Sequence, residues 1–287
     1  MAEQETAPYT APRLRQSVPP SLNGLVHKIT CYDMGGAGGS GSREVACFVV
    51  PIIVSFADPF RIAFDRRPNP GERIGSFVSG LHPGYVDIEW AGPVSCVQID
   101  LTPIGARLFF GRPMSEFSTR LVPLEDVEDR GLDDLRDRLG ETATWSDRLR
   151  IAEAFMERRL LGRSALPETA FIWSALMHSC GTVRIDRLTD ELGWSRKRLA
   201  AHVRDAFGLT PKRLARIARF HHAIDLARGG TSRPDWAGIA ADCGYADQAH
   251  LVRDFVALAG EPPERWRRRA GALPAKQIYN TEGDPPG

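Results

Sequence analysis

Apolar positions recur every three or four residues in two stretches of the C-terminal third of the chain. In the first, Ile185, Leu188 and Leu192 form one stripe, Gly193 interrupts it, and Leu199, Val203 and Phe207 form another. In the second, Trp236, Ile239 and Ala240 precede Gly244, and Leu251 and Phe255 follow it. This period predicts amphipathic helices. The glycines can supply the positive φ that a tight turn after a helix needs. Ser195 and Asp247 can then cap the next helices. Each stretch closes on Gly-x-x-Pro, at Gly208–Pro211 and at Gly260–Pro263. A helix, a glycine turn and a capped second helix make a helix-turn-helix unit, here written twice. Between the units, Pro211 starts a long helix with Leu214, Ile217, Ala218 and Leu226 on its apolar face. Arg213, Arg216 and Arg219 line part of the remainder.

The first half has another rhythm. Residues 1–20 are polar and Pro-bearing and predict a disordered arm. Leu22–Met34 predicts a short strand or helix. The glycine-rich run 35–42 predicts a loop, since it lacks the Gly-Lys-Ser/Thr ending of a phosphate cradle. Cys47–Phe56, Phe60–Phe64, Ser76–Ser79, Tyr85–Trp90 and Val94–Leu101 are β-branched or aromatic, with Gly or Pro between them. Short strands so spaced predict a β-rich sandwich or half-barrel, a shape that can hold a small ligand in its mouth. Phe56, Phe77, Tyr85 and Trp90 are core candidates first and pocket walls second. Asp87, Glu89 and Asp100 alternate along their strands and are expected on a solvated face. Thr102 with Pro103 should open a helix that ends at Gly111. Further helices are expected over Leu132–Leu139, Trp145–Leu161 and Glu168–Cys180.

The fold class expected is α+β. A disordered arm (1–20) precedes an N-terminal β-rich, sensor-like effector or dimerisation domain with flanking helices (21–163). An all-α domain follows (164–269), with two helix-turn-helix units joined by a long helix, then a disordered tail (270–287).

Charge sharpens this picture. The whole chain is nearly neutral at +1, yet residues 171–270 hold 17 Lys and Arg against 11 Asp and Glu. Such a basic block fits a polyanionic partner. Arg196, Lys197 and Arg198 fall on the first turn of the first unit's second helix, where a recognition helix meets phosphates and base edges. Ala200 and Ala201 permit close approach, and Arg204 completes the candidates there. Three cations at a helix start oppose the macrodipole, which favours an anion at that place. In the second unit Gln248, Ala249, His250 and Arg253 lie outward. Gln can read adenine, and Arg can read guanine or grip phosphate. His250 serves equally as a packing residue.

These residues also carry a family resemblance. Leu188-x3-Leu192-Gly193-x-Ser195-x3-Leu199, Gly208-Leu-Thr-Pro211, Arg216-x2-Arg219-x3-Ala223, Ile239-Ala-x2-Cys-Gly-Tyr-x-Asp-Gln-x-His-Leu251-x2-Asp-Phe255 and Gly260-x-x-Pro263 resemble the AraC/XylS family of bacterial transcription regulators. The resemblance spans about a hundred residues. A weaker one, over Leu101–Gly111 and Val122–Asp126, is to an amino-terminal module of some of these regulators. The family implies double-stranded promoter DNA as partner, a small-molecule effector or a second copy at the amino-terminal domain, contact with RNA polymerase and a cytoplasmic location. The first unit departs from the family pattern at Ala201 and Val203, where members usually carry Arg and Phe. The second unit is therefore expected to set sequence preference, and the first to grip phosphate and shape.

Other classes find less support. No run of about 18 apolar residues predicts a transmembrane helix, and no basic start with an apolar core predicts a secretory signal. The five cysteines (31, 47, 96, 180, 243) lack Cys-x-x-Cys spacing and read as reduced, buried small hydrophobes. His27 and His82 stand apart from any His-x-His grouping, so no metal is expected. Neither Gly-x-Ser-x-Gly nor His-Glu-x-x-His occurs, so neither an enzyme nor a cofactor is predicted. A ligand-modifying enzyme and a purely dimerising module remain the alternatives for the first domain.

Overall fold

The computed structural model describes residues 13–16, 18–34, 40–229 and 234–272. Along the amino-terminal region run β1 (Arg13–Gln16), β2 (Val26–Met34), β3 (Ser40–Glu44), β4 (Val50–Ser55), β5 (Arg61–Phe64), β6 (Phe77–Ser79), β7 (Val86–Trp90) and β8 (Val94–Leu101). Then follow α1 (Pro103–Phe110), β9 (Leu121–Pro123), α2 (Arg130–Glu141) and α3 (Trp145–Leu160). The carboxy-terminal region is helical: α4 (Pro167–His178), α5 (Ile185–Leu192), α6 (Arg196–Phe207), α7 (Pro211–Gly229), α8 (Trp236–Asp242), α9 (Gln248–Ala259) and α10 (Pro263–Ala272).

The strands form two antiparallel sheets, a six-stranded one in the order β1-β2-β8-β4-β6-β9 and a three-stranded one in the order β3-β7-β5. Register explains why β4 and β8 read as nearly continuous apolar runs. Ile29 lies opposite Ile99, which lies opposite Ile52, and this face packs against α1 and α3 through Phe109, Leu149, Ala152 and Met156. Tyr32, Ile53, Phe77 and Cys96 point the other way and meet Phe60 and Ile62 of the second sheet side. A strand buried on both faces loses its polar alternation. Between the sheets lie packed side chains: Phe77 is buried, as expected of core, and Trp90 is half-buried against them.

Four expectations need correction. Arg13–Gln16, inside the predicted arm, pairs with β2, and Ser40–Ser42, inside the predicted glycine loop, belongs to β3 and pairs with β7. Asp87 and Asp100 are buried rather than solvated. Arg43 grips Asp87 through two hydrogen bonds of 2.6 and 2.7 Å, while Lys28 lies 3.4 Å from Asp100 and Gln98 donates to it at 2.7 Å. Glu89 pairs with Arg61 nearer the surface. At the carboxyl end α10 runs to Ala272, past the start predicted for the tail. Residues 1–12 of the arm, 35–39 of the loop and 273–287 of the tail lie outside the described residues.

Thr102 caps α1 as expected, its hydroxyl accepting from the Gly105 amide at 2.9 Å. That helix helps to position the carboxy-terminal region. Arg107 on α1 pairs with Asp205 near the end of α6 at 3.2 Å. At the end of α9, the Ala46 amide donates to the Leu258 carbonyl (2.8 Å) and Arg43 donates to the Gly260 carbonyl (3.1 Å). Between these points Phe48 packs on Trp173 and His221, and His221 Nε2 donates to the Ala46 carbonyl at 2.8 Å. The amino-terminal region thus holds the carboxyl ends of both α6 and α9. Those ends carry the partial negative charge of the helix dipole, which Arg43 complements at α9.

Candidate nucleic-acid interface

The two units are built alike. In the first, α5 ends at Gly193 (φ +63°), and the Ser195 hydroxyl accepts from the Arg198 amide at 3.2 Å to open α6. In the second, α8 is followed by Gly244 (φ +70°), and the Asp247 carboxylate accepts from the His250 amide at 2.6 Å to open α9. Leu188, Leu199, Val203 and Phe207 are buried in the first unit, as are Trp236, Leu251 and Phe255 in the second. The Phe255 ring meets Phe220, Trp236 and Trp266 edge-on at 4.9, 5.4 and 5.7 Å. One residue thus joins α9 to α7, α8 and α10. Each aromatic pair adds about 0.5–1.5 kcal/mol beyond its buried area.

Arg216 and Arg219 on α7, expected to line its surface, turn inward instead. Arg216 Nε donates to Asp254 at 2.8 Å, and Asp254 is buried. Arg219 lies over the Tyr245 ring, 5.4 Å from its centre, and burial pushes the Tyr245 hydroxyl's pKa up. These two arginines therefore pin the second unit to α7. Arg213, by contrast, is exposed.

The candidate DNA contacts fall on two helix surfaces. Arg196, Lys197, Arg198, Ala201 and Arg204 are exposed along α6, and Ala200 is half-buried. Gln248, Ala249 and Arg253 are exposed along α9. His250 is half-buried, its ring edge-on to Tyr245 at 5.1 Å, so it packs as well as faces outward. The two surfaces differ in how their polar groups are engaged. Arg196 donates to Asp186 of α5 at 2.8 Å, and Arg198 lies over the Trp194 ring, 4.4 Å from its centre. Trp194 in turn meets His202 edge-on at 5.0 Å, and His202 Nε2 is 2.8 Å from the Thr169 hydroxyl on α4. Burial holds the His202 pKa below its ordinary value, against the pull of Asp205 and Glu168. Gln248 and Arg253 have no such partner among the described residues. Asp186 and Trp194 escaped the sequence reading. Their only signal was position, an acid on the first turn of the scaffold helix and an aromatic ring in the turn.

Residues 188–269 match the family model described as a helix-turn-helix domain. This segment is an AraC-type helix-turn-helix domain. A helix-turn-helix domain is a DNA-binding module, so residues 188–269 form the DNA-binding part of the chain. No curated protein matches the chain in sequence. Among solved structures, ToxT from Vibrio cholerae aligns at 11% identity over 83% of this chain and 96% of its own, with a TM-score of 0.43. ToxT from strain SCE256 bound to an unsaturated fatty acid aligns at 11% over 85% and 95%, with a TM-score of 0.41. The AraC-like transcriptional activator CuxR aligns at 13% over 77% and 97%, with a TM-score of 0.28. No described helix is long and apolar enough to cross a membrane.

Proposed function

We propose that the chain binds promoter DNA sequence-specifically, its two units reading adjacent major-groove segments, and that the amino-terminal region modulates this binding. One observation carries the reading: two capped, outward-facing helices, α6 and α9, both packed on α7. The 19 residues of α7 span about 28 Å, comparable to the roughly 34 Å between successive major-groove segments on one face of DNA. On this reading Gln248 and Arg253 read bases, while Arg196, Lys197, Arg198 and Arg204 meet backbone. Ala200, Ala201 and Ala249 allow close approach, and His250 supports α9 from beneath. Modulation is supported by the amino-terminal contacts at Asp205, Leu258 and Gly260, through which a small-molecule effector or a second copy would act.

Binding titrations at physiological salt test the reading. Upstream DNA should bind at least a thousandfold more tightly than random duplex of the same length. Equal affinities would refute sequence-specific recognition. Base-pair swaps in each half of a mapped site should cost more in the half covered by α9, and equal penalties would remove its lead.

A further inference from the structure

The first unit carries its own counter-anion. Arg196 places Nε 2.8 Å and Nη2 2.6 Å from one oxygen of Asp186, and Arg184 Nη2 lies 3.9 Å from the other. Asp186 stands on the first turn of α5, where the helix dipole favours a carboxylate. Of the cations that crowd the start of α6, Arg196 thus has an internal counter-ion. Arg198 is occupied as well, by the face of Trp194. Both arginine side chains are nevertheless solvent-accessible, that of Arg196 being 75% exposed, so phosphate can reach them. The second unit has no equivalent, since Arg253 has no ion pair among the described residues.

We propose that Asp186 is an internal competitor for DNA phosphate, a residue that holds Arg196 and lowers the first unit's affinity for DNA of any sequence. Arg196 must exchange one carboxylate for one phosphate, and the gain is the difference between two similar ion pairs. Arg196 therefore adds little non-specific attraction, and the first unit grips DNA more weakly than its cation count suggests. This rests on the DNA-binding reading above and assigns its balance between the two units.

The test uses the full chain and random-sequence duplex at several salt concentrations. Asp186→Asn should tighten binding about three- to five-fold at physiological salt, the equivalent of one exposed ion pair. Its salt dependence should steepen by about 0.9 in log–log slope, one extra phosphate neutralised. Arg196→Ala in the native background should change affinity less than about two-fold, yet erase the gain when combined with Asp186→Asn. Glu191→Gln is the charge control, because Glu191 lies on the same helix and pairs with Arg187 instead. An equal gain from Glu191→Gln would overturn the proposal, since removal of any acid would then suffice. Unchanged or weaker binding by Asp186→Asn would overturn it too. Should that variant fail to fold, Arg196→Ala alone decides, and a tenfold loss refutes the idea. These arms use random DNA only, so they can fail while the promoter-to-random ratio stays high. A lost ratio would instead refute sequence-specific recognition.

Discussion

Arg253 is exposed and unengaged on the surface that α9 presents, and Asp254, its neighbour in sequence, is buried against Arg216. On the proposed reading, adjacent positions on one helix thus divide between reading and support. Arg253→Ala should weaken specific binding by about 1–3 kcal/mol and leave folding untouched, as a promoter titration beside a melting curve would show. Asp254→Ala should do the reverse. It leaves Arg216 without its partner and should lower stability by about 2 kcal/mol, less than for a fully buried pair because Arg216 keeps partial solvent access. Urea unfolding measures this, and a change below about 0.5 kcal/mol would contradict the pinning role. The sequence could not separate these arginines. Arg213, Arg216 and Arg219 have the same spacing whether they face water or Asp254 and Tyr245, and only the packing of α9 on α7 supplies the acceptors.

Elements whose ends are written in local chemistry were legible. Thr102, Ser195 and Asp247 each cap the helix expected of them, because a cap needs only its own side chain and the amides that follow. Asp247→Ala should therefore cost about 1 kcal/mol of stability, read from denaturant midpoints, and should weaken binding through a frayed first turn of α9. Strands whose partner lies far along the chain were not legible. Nothing local in Ser40–Glu44 announces β3, whose glycine at position 41 pairs with Glu89 almost fifty residues away. In β1 likewise Arg13–Gln16 becomes a strand because β2 offers it an edge. Asp87 and Asp100 alternate as solvated residues would, yet Arg43 and Lys28 allow their burial. Alternation reports the face of a strand, not what covers that face.

Across the whole molecule, two groups at the junction of the regions make it measurable. Gly208 has φ +81°, and a Cβ there would fall 1.7 Å from the Ser118 hydroxyl and 2.7 Å from the Met114 carbonyl. Gly193 has φ +63° but open space around it. Gly193→Ala should thus cost about 1–2 kcal/mol of backbone strain, and Gly208→Ala should add about 1–3 kcal/mol for steric overlap. Unfolding of both variants compares them, and equal costs would deny the close approach at α6. His221 supplies a pH handle. Burial lowers its pKa to about 4, with Arg228 adding to the effect and the Ala46 carbonyl opposing it. A depressed histidine pKa means that the unfolded chain takes the proton first. Its contribution is complete above about pH 6.5 and is lost as the pH falls towards 4. His221→Gln should flatten the stability profile in that window by about 2 kcal/mol, measured by melting at several pH values. His27, His82 and His202 are lowered in the same direction, so part of the slope should remain.

The grip of the amino-terminal region falls on the carboxyl ends of α6 and α9, while their amino-terminal turns stay uncovered. On the proposed reading, a shift in that grip would change the angle between the two DNA-reading helices without hiding either. In a promoter, angle translates into helical phase, and one inserted base pair turns a half-site by about a tenth of a revolution. Spacer length then becomes the genetic record of the docked state. A promoter whose half-sites are correct but out of phase would be bound by a variant with a loosened junction and bound more weakly by the native protein.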